Sequence, residues 1–275
     1  MQQDGQPVSV NQASIAAAVD RLGKNIGGYF GETIQIDAVI AEQRRYAAAN
    51  GWEIESLPVR RGVELLALRR RARNPSRHIY ISAGIHGDEP AGPLAIREFL
   101  KENVWPDDAD LWLCPCLNPT AFPLSTRAGA SGHDLNRDYK HLRTDEVRTH
   151  VAWLERQPQF DLCLCLHEDW EANGFYVYEV NPENRPSLSK KMVEAVRKVC
   201  PIDHNTLIDG REAADGIIRP NLDPALRPEW PEAFYLITHK TRLSYTLEAP
   251  SDFPLTVRVS ALVAATKAAL AEFTT

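Results

Sequence analysis

A short apolar run, Ile79-Tyr80-Ile81-Ser82-Ala83, leads straight into a polar turn that carries His86 and Glu89 three positions apart, and then into Pro90 and Pro93. Prolines suit the first turn of a helix, where their missing N–H has no partner to lose. Ile96, Phe99 and Leu100 give that helix an apolar face at i, i+3, i+4 spacing. A strand, turn and helix in this order put the turn at the carboxyl end of a strand, where open α/β sheets hold their ligands. His86 and Glu89 are residue types that zinc accepts, and a catalytic zinc site takes three protein ligands so that a fourth position stays open for water. His167, at the end of a second strongly apolar strand over residues 160–166, is the candidate for the third ligand.

The rest of the chain fits a sheet around these two strands. Residues 12–50 read as helix in two pieces, the second from about Asp37 to Asn50, with Asn50-Gly51 as its stop. Strands over 52–59 and 63–69, joined through Arg61-Gly62, read as a hairpin leading into the strand at 78–84. Leu111 to Leu117 returns as a strand. Residues 118–139, rich in turn formers, read as a long loop of the kind that often carries function. Thr144 can cap a helix with the stripe Val147, Val151, Leu154, and Leu188, Met192, Val196 and Val199 mark another. Residues 201–232 give no clear pattern. Ala233 to Thr238 and Leu243 to Glu248 read as strands, and Val259 to Phe273 as a long C-terminal helix. Strands alternating with helices predict an α/β fold: one three-layer α/β/α domain over residues 1–275 around a mixed, mostly parallel sheet. No linker or repeat divides the chain, and the motif residues run from position 86 to 248.

A net charge of −6 and a pI near 5.8 leave no electrostatic footprint for nucleic acid or an anionic membrane. The start, Met1 to Pro7, lacks a signal peptide's basic and apolar regions, and no segment approaches the ~18 apolar residues of a membrane span, so the expectation is a soluble, cytoplasmic chain. Five cysteines fit reduced thiols. Cys114-Pro115-Cys116 and Cys163-Leu164-Cys165 could instead pair as a thiolate metal or redox centre, although Cys-x-Cys on a strand suits buried packing better. The arginine-rich stretch from Arg60 to Arg73 reads as solvated strand ends.

In order along residues 78–250, these pieces resemble the zinc carboxypeptidase family, the carboxypeptidase A-like metallopeptidases and their aspartoacylase and succinylglutamate desuccinylase relatives. His86-Gly87-Asp88-Glu89-Pro90 is similar to the family's zinc-binding turn, with Gly87 allowing a tight bend, and His167 matches its final ligand. Arg127, followed by Asp134-Leu135-Asn136-Arg137, resembles its arginine and Asp-x-Asn-Arg pieces. The resemblance implies that Asn136 and Arg137 hold the substrate's free carboxylate and that Arg127 stabilises the developing oxyanion. It also implies that Asp134 accepts the second ring N–H of His86. Ser244 to Ser251 looks like the strand carrying the catalytic glutamate, so Glu248 is implied as the general base. Leu243, Tyr245 and Leu247 alternate before it and mark a buried strand, where an unpaired carboxylate would be costly. Tyr235 is the candidate for the family's mobile tyrosine, with Tyr245 read as strand core, and His133 shares the loop of Asn136 and could contact substrate.

The implied cofactor is one Zn2+ per chain, and the implied partner is a peptide or N-acyl amino acid with a free carboxylate. Two reactions fit: a metallocarboxypeptidase cleaving a C-terminal peptide bond, which the Asp-x-Asn-Arg loop favours, and an N-acyl amino acid deacylase. A silent binding protein would not need every one of these roles filled. The sequence leaves the oligomeric state and side-chain preference open.

Overall fold

The computed structural model describes residues 19–273, apart from the side chains at 61 and 225. Helix α1 (Ile36–Ala49) precedes the hairpin β1 (Glu53–Pro58) and β2 (Glu64–Arg70), which register as Glu53 against Arg69 through Pro58 against Glu64. Then come β3 (Arg77–Ala83), α2 (Ala91–Glu102), β4 (Ala109–Cys114), α3 (Asp145–Glu155) and β5 (Leu162–Asp169). β6 (Tyr176–Val180), α4 (Ser189–Val196), the short strands β7 (Leu207–Ile208), β8 (Arg211–Ala214) and β9 (Ile217–Ile218), α5 (Glu232–His239), β10 (Ser244–Pro250) and α6 (Leu255–Phe273) complete it.

The ten strands form one sheet in the order β1-β2-β4-β3-β5-β10-β6-β9-β8-β7. Its centre, β4-β3-β5-β10, is parallel, and antiparallel neighbours extend it on both sides. Side-chain alternation explains why those central strands are apolar throughout. Ile79, Ile81, Leu162, Leu164 and Leu166 pack on one face with residues of α2, α4 and α6. Tyr80, Cys163 and Cys165 point to the other face, toward α3 and α5. The thiols are therefore core residues: all five cysteines are buried and free, Cys116 packs in a separate cluster beside Ile36, and burial pushes its thiol up to about 12.

Three expectations need correction. Ala233 to Thr238 lies in α5, not in a strand; an apolar run of this length has no period that separates buried helix from buried strand. Pro231 ends the preceding extended chain, and the N–H of Glu232 is taken by Asn136 Oδ1 at 2.8 Å, which starts the helix. Of the first helical piece expected over 12–50, residues 12–18 lie outside the described residues, and 19–35 are irregular. Gly23 and Gly27 there hold left-handed backbone that a helix cannot use. Thr144 precedes α3, but its hydroxyl donates to Asp138 at 2.8 Å; the Asp138 carboxylate also takes the N–H groups of Arg143 and Thr144.

Beneath the sheet runs a buried polar chain. Tyr139 Oη lies 2.7 Å from His150 Nδ1, His150 Nε2 lies 2.9 Å from Tyr80 Oη, and Tyr80 donates to Glu232 Oε1 at 2.9 Å. This order suits a neutral imidazole that accepts at Nδ1 and donates at Nε2. Burial pushes His150 down to about 3 from its ordinary 6.5, so the unfolded chain takes up the proton first. The stability this group contributes is whole above pH 6.5 and is lost as pH falls toward 3. From pH 7 to pH 5 it removes about 2 kcal/mol. Urea titrations at the two pH values should show that loss, and His150→Gln should flatten it; an equal slope in the variant would refute the assignment.

Candidate metal centre

β3 and β5 end side by side, and the turn after β3 brings His86 and Glu89 against His167. One donor atom from each of the three lies within 4.8 Å of the others, and all three residues are buried. The carboxylate bridges the rings: Glu89 Oε1 meets His86 Nδ1, and Oε2 lies 2.9 Å from His167 Nδ1. The outer nitrogen of His86, Nε2, is 3.1 Å from Asp134 Oδ1. Two imidazoles and a carboxylate, converging with the outer ring nitrogen of His86 engaged elsewhere, are a donor set that fits a divalent zinc ion.

Local geometry explains how the long loop reaches this point. A Cβ on Gly87 would lie 2.1 Å from the Ala121 carbonyl carbon, so only glycine allows the approach. Its φ is not left-handed, so close contact rather than a special bend is what the position requires. Gly87 donates to Thr126 O at 2.9 Å, which sets Arg127 beside the cluster. Arg127 Nε then donates to Asp134 Oδ2 at 2.7 Å, and its Nη1 stands 3.8 Å from Glu89 Oε1.

Opposite charges dominate the electrostatics. Burial alone would lower His86 and His167, but the Glu89 carboxylate raises both. Against its own burial, Glu89 is held well below the carboxylate range by His86 and His167, and Asp134 is held low by His86 and Arg127. Glu248 is the contrast: burial, with Glu89 and Asp169 adding to it, raises its pKa far above normal, although His167 opposes them.

The cluster opens into a cavity of about 480 Å³ that also presents Arg127, Asn136, Arg137 and Glu248, within the range usual for small-ligand sites. Glu248 pairs in register with His167 on β5 and Tyr176 on β6, and no hydrogen bond from a described side chain reaches its carboxylate. Arg137 is exposed, its guanidinium bonds only the Asn136 carbonyl at 2.8 Å, and it has no carboxylate partner among the described residues. Asp134, bonded to His86 and Arg127 rather than lining the cavity, completes the set of eight residues singled out in the sequence.

Two secondary candidates fall elsewhere. Tyr235 is buried against Tyr139 and His239 and does not line the cavity, and His133 is exposed outside it. The tyrosines that line the cavity are Tyr176 and Tyr178, on the strand missed in the sequence. The run Phe175-Tyr176-Val177-Tyr178 is rich in strand formers and was the signal available. Glu168, next to His167 in the sequence and by residue type a competitor for the third ligand position, is instead fully buried and paired with Arg258.

Known proteins share parts of this sequence and fold. A sequence profile of the succinylglutamate desuccinylase/aspartoacylase catalytic domain matches residues 75–209. Carboxypeptidase SOL1 of Arabidopsis thaliana is 30% identical over 104 residues; the match covers 30% of this chain and only 21% of that protein's length. A provisionally assigned metallopeptidase of Shewanella denitrificans superposes with a TM-score of 0.75 at 25% identity, covering 88% of this chain and 96% of that one. The metallo-carboxypeptidase of Burkholderia cenocepacia shares the fold at 17% identity and a TM-score of 0.65, over 88% of this chain and 70% of that one. No helix among the described residues is long and apolar enough to cross a membrane.

Proposed function

We propose that this chain is a zinc metallocarboxypeptidase, cleaving the C-terminal amide bond of a peptide; its likeness to the desuccinylase/aspartoacylase catalytic domain and to a metallopeptidase fold supports this reading. The observation that carries this reading is the convergence of the His86, Glu89, His167 cluster, an otherwise unbonded Glu248 carboxylate and an unpaired Arg137 on one cavity.

In this reading His86, Glu89 and His167 hold one zinc ion. When bound, zinc supplies Lewis-acid polarisation of a carbonyl and makes water more acidic. The residues of the chain do the rest. Asn136 and Arg137 bind the substrate's terminal carboxylate; Asn136 is fixed for this because its Oδ1 already accepts the Glu232 N–H. Arg127, held by Asp134, offers its guanidinium to the oxygen on which negative charge develops. Glu248 takes the proton of the attacking water and delivers it to the leaving nitrogen. The substrate in this reading is a small molecule or peptide end with a free carboxylate.

Removing the clamp cation should weaken binding more than turnover. Arg137→Met should raise KM by about 10- to 100-fold, the worth of a hydrogen bond to a charged group, with kcat changed much less. Steady-state kinetics on a short peptide check this, and an unchanged KM would remove Arg137 from the clamp.

The deacylase reading is favoured by the profile match over residues 75–209. Hydrolysis of short peptides measured beside N-acetyl and N-succinyl amino acids, after zinc is restored to chelated protein, decides between the two. Turnover of the acyl amino acids alone would overturn the peptidase reading.

A further inference from the structure

We propose that Arg258, secured by the segment 21–32, is a positioning residue for the metal ligands and acts through the buried Glu168; this rests on the zinc reading above. Glu168 is joined to two of the three ligands. It follows His167 in the chain, and its N–H donates to Glu89 Oε2 at 3.2 Å. Its carboxylate accepts the N–H of Ala91, the first residue of α2 and two beyond Glu89. Pro90 at the head of that helix has no side chain able to do this. Glu168 therefore ties the turn bearing Glu89 to the strand bearing His167.

A second buried carboxylate beside Glu89 needs a cation, and Arg258 provides it. Its Nη1 lies 2.6 Å from Glu168 Oε2, with both side chains 0% exposed. The same guanidinium reaches the N-terminal segment, donating to Tyr29 Oη at 3.2 Å and to the Glu32 carboxylate, while Tyr29 Oη donates to Glu32 O at 2.6 Å. Arg258 Nε is buried without a partner. Such a pair is a poor way to gain stability, since apolar side chains would do as well. What it fixes is direction: Glu168 is held at one point between the two ligands.

The segment has a second anchor close to Glu248. Asp252, four residues past it, accepts Arg21 Nε at 2.7 Å and the N–H groups of Gly23 and Lys24 at 3.0 and 2.8 Å, and Leu22 N–H donates to Asp252 O at 2.7 Å. The segment is thereby fastened at both ends, and Arg258 is sealed between them.

The test is the zinc dissociation constant, by competition with a chromogenic chelator on the full chain. Arg258→Lys and Glu168→Gln should each weaken zinc by about 10- to 100-fold, the usual effect of altering groups that orient metal ligands. The double variant should be no weaker than the worse single one, because both changes break the same contact. Glu32→Ala, which leaves the buried pair in place, should give a smaller loss in the same direction. Zinc affinity within twofold of wild type in both single variants, or single losses that multiply in the double, would overturn the proposal. If the buried variants do not fold, Glu32→Ala decides: unchanged affinity there refutes the coupling. Wild-type protein that binds no zinc would instead overturn the zinc reading itself.

Discussion

Replacing Glu248 with Gln should lower kcat/KM by about 10²- to 10⁴-fold, the usual worth of a positioned general base, while one zinc per chain is retained. The expectation follows from position. Glu248 stands beside His167 in register, faces the cavity, and spends its carboxylate on no described side chain. Glutamine keeps the shape and hydrogen-bonding reach but cannot take a proton at neutral pH. Elemental analysis alongside kinetics separates a lost base from a lost ion. Turnover within a few-fold of wild type, with zinc present, would sink the assignment.

Removing a ligand should act differently, on binding and stability together. In the intact chain, zinc at a thousandfold its dissociation constant should stabilise the fold by about 4 kcal/mol. At roughly 2–4 °C per kcal/mol for a chain near this size, that moves Tm up by roughly 8–16 °C. His167→Ala should lose this zinc-dependent shift, retain no ion through dialysis, and lose hydrolysis with it. A variant whose Tm still climbs with zinc as the wild type does would show that His167 is not a ligand.

The parts legible in the sequence were those whose signal is local. Runs such as Ile79 to Ala83 and Leu162 to Leu166 are apolar on both alternating faces, which only a covered central strand permits, so the chemistry-bearing ends of β3, β5 and β10 could be placed in advance. The eight residues converge because each sits on such an end or on the loop tied to one through Gly87. What escaped depends on distance or on the absence of a period. Helix α5 is apolar around most of its surface, so its eight residues read equally well as strand. Glu168 and Arg258 are 90 positions apart, and a lone arginine in an apolar helix gives no sign that it will be fully buried. In the irregular segment before α1, Gly23 and Gly27 take left-handed backbone, which their neighbours in the sequence do not announce. Tyr176 and Tyr178 came to light only through the pairing of β6 with β10.

One of the sheet's two edge strands, β1, bears on how copies of this molecule meet. Four of its first residues are exposed, among them Glu53 and Glu55, held by Arg71 and by Arg156 with Trp153. Pro58 closes its far end, where it has no N–H to offer. Another chain seeking to lengthen the sheet there would have to lay its backbone along a row of fixed carboxylates and then meet a residue that cannot donate. At this border, charge and proline together oppose lengthening of the sheet by another chain.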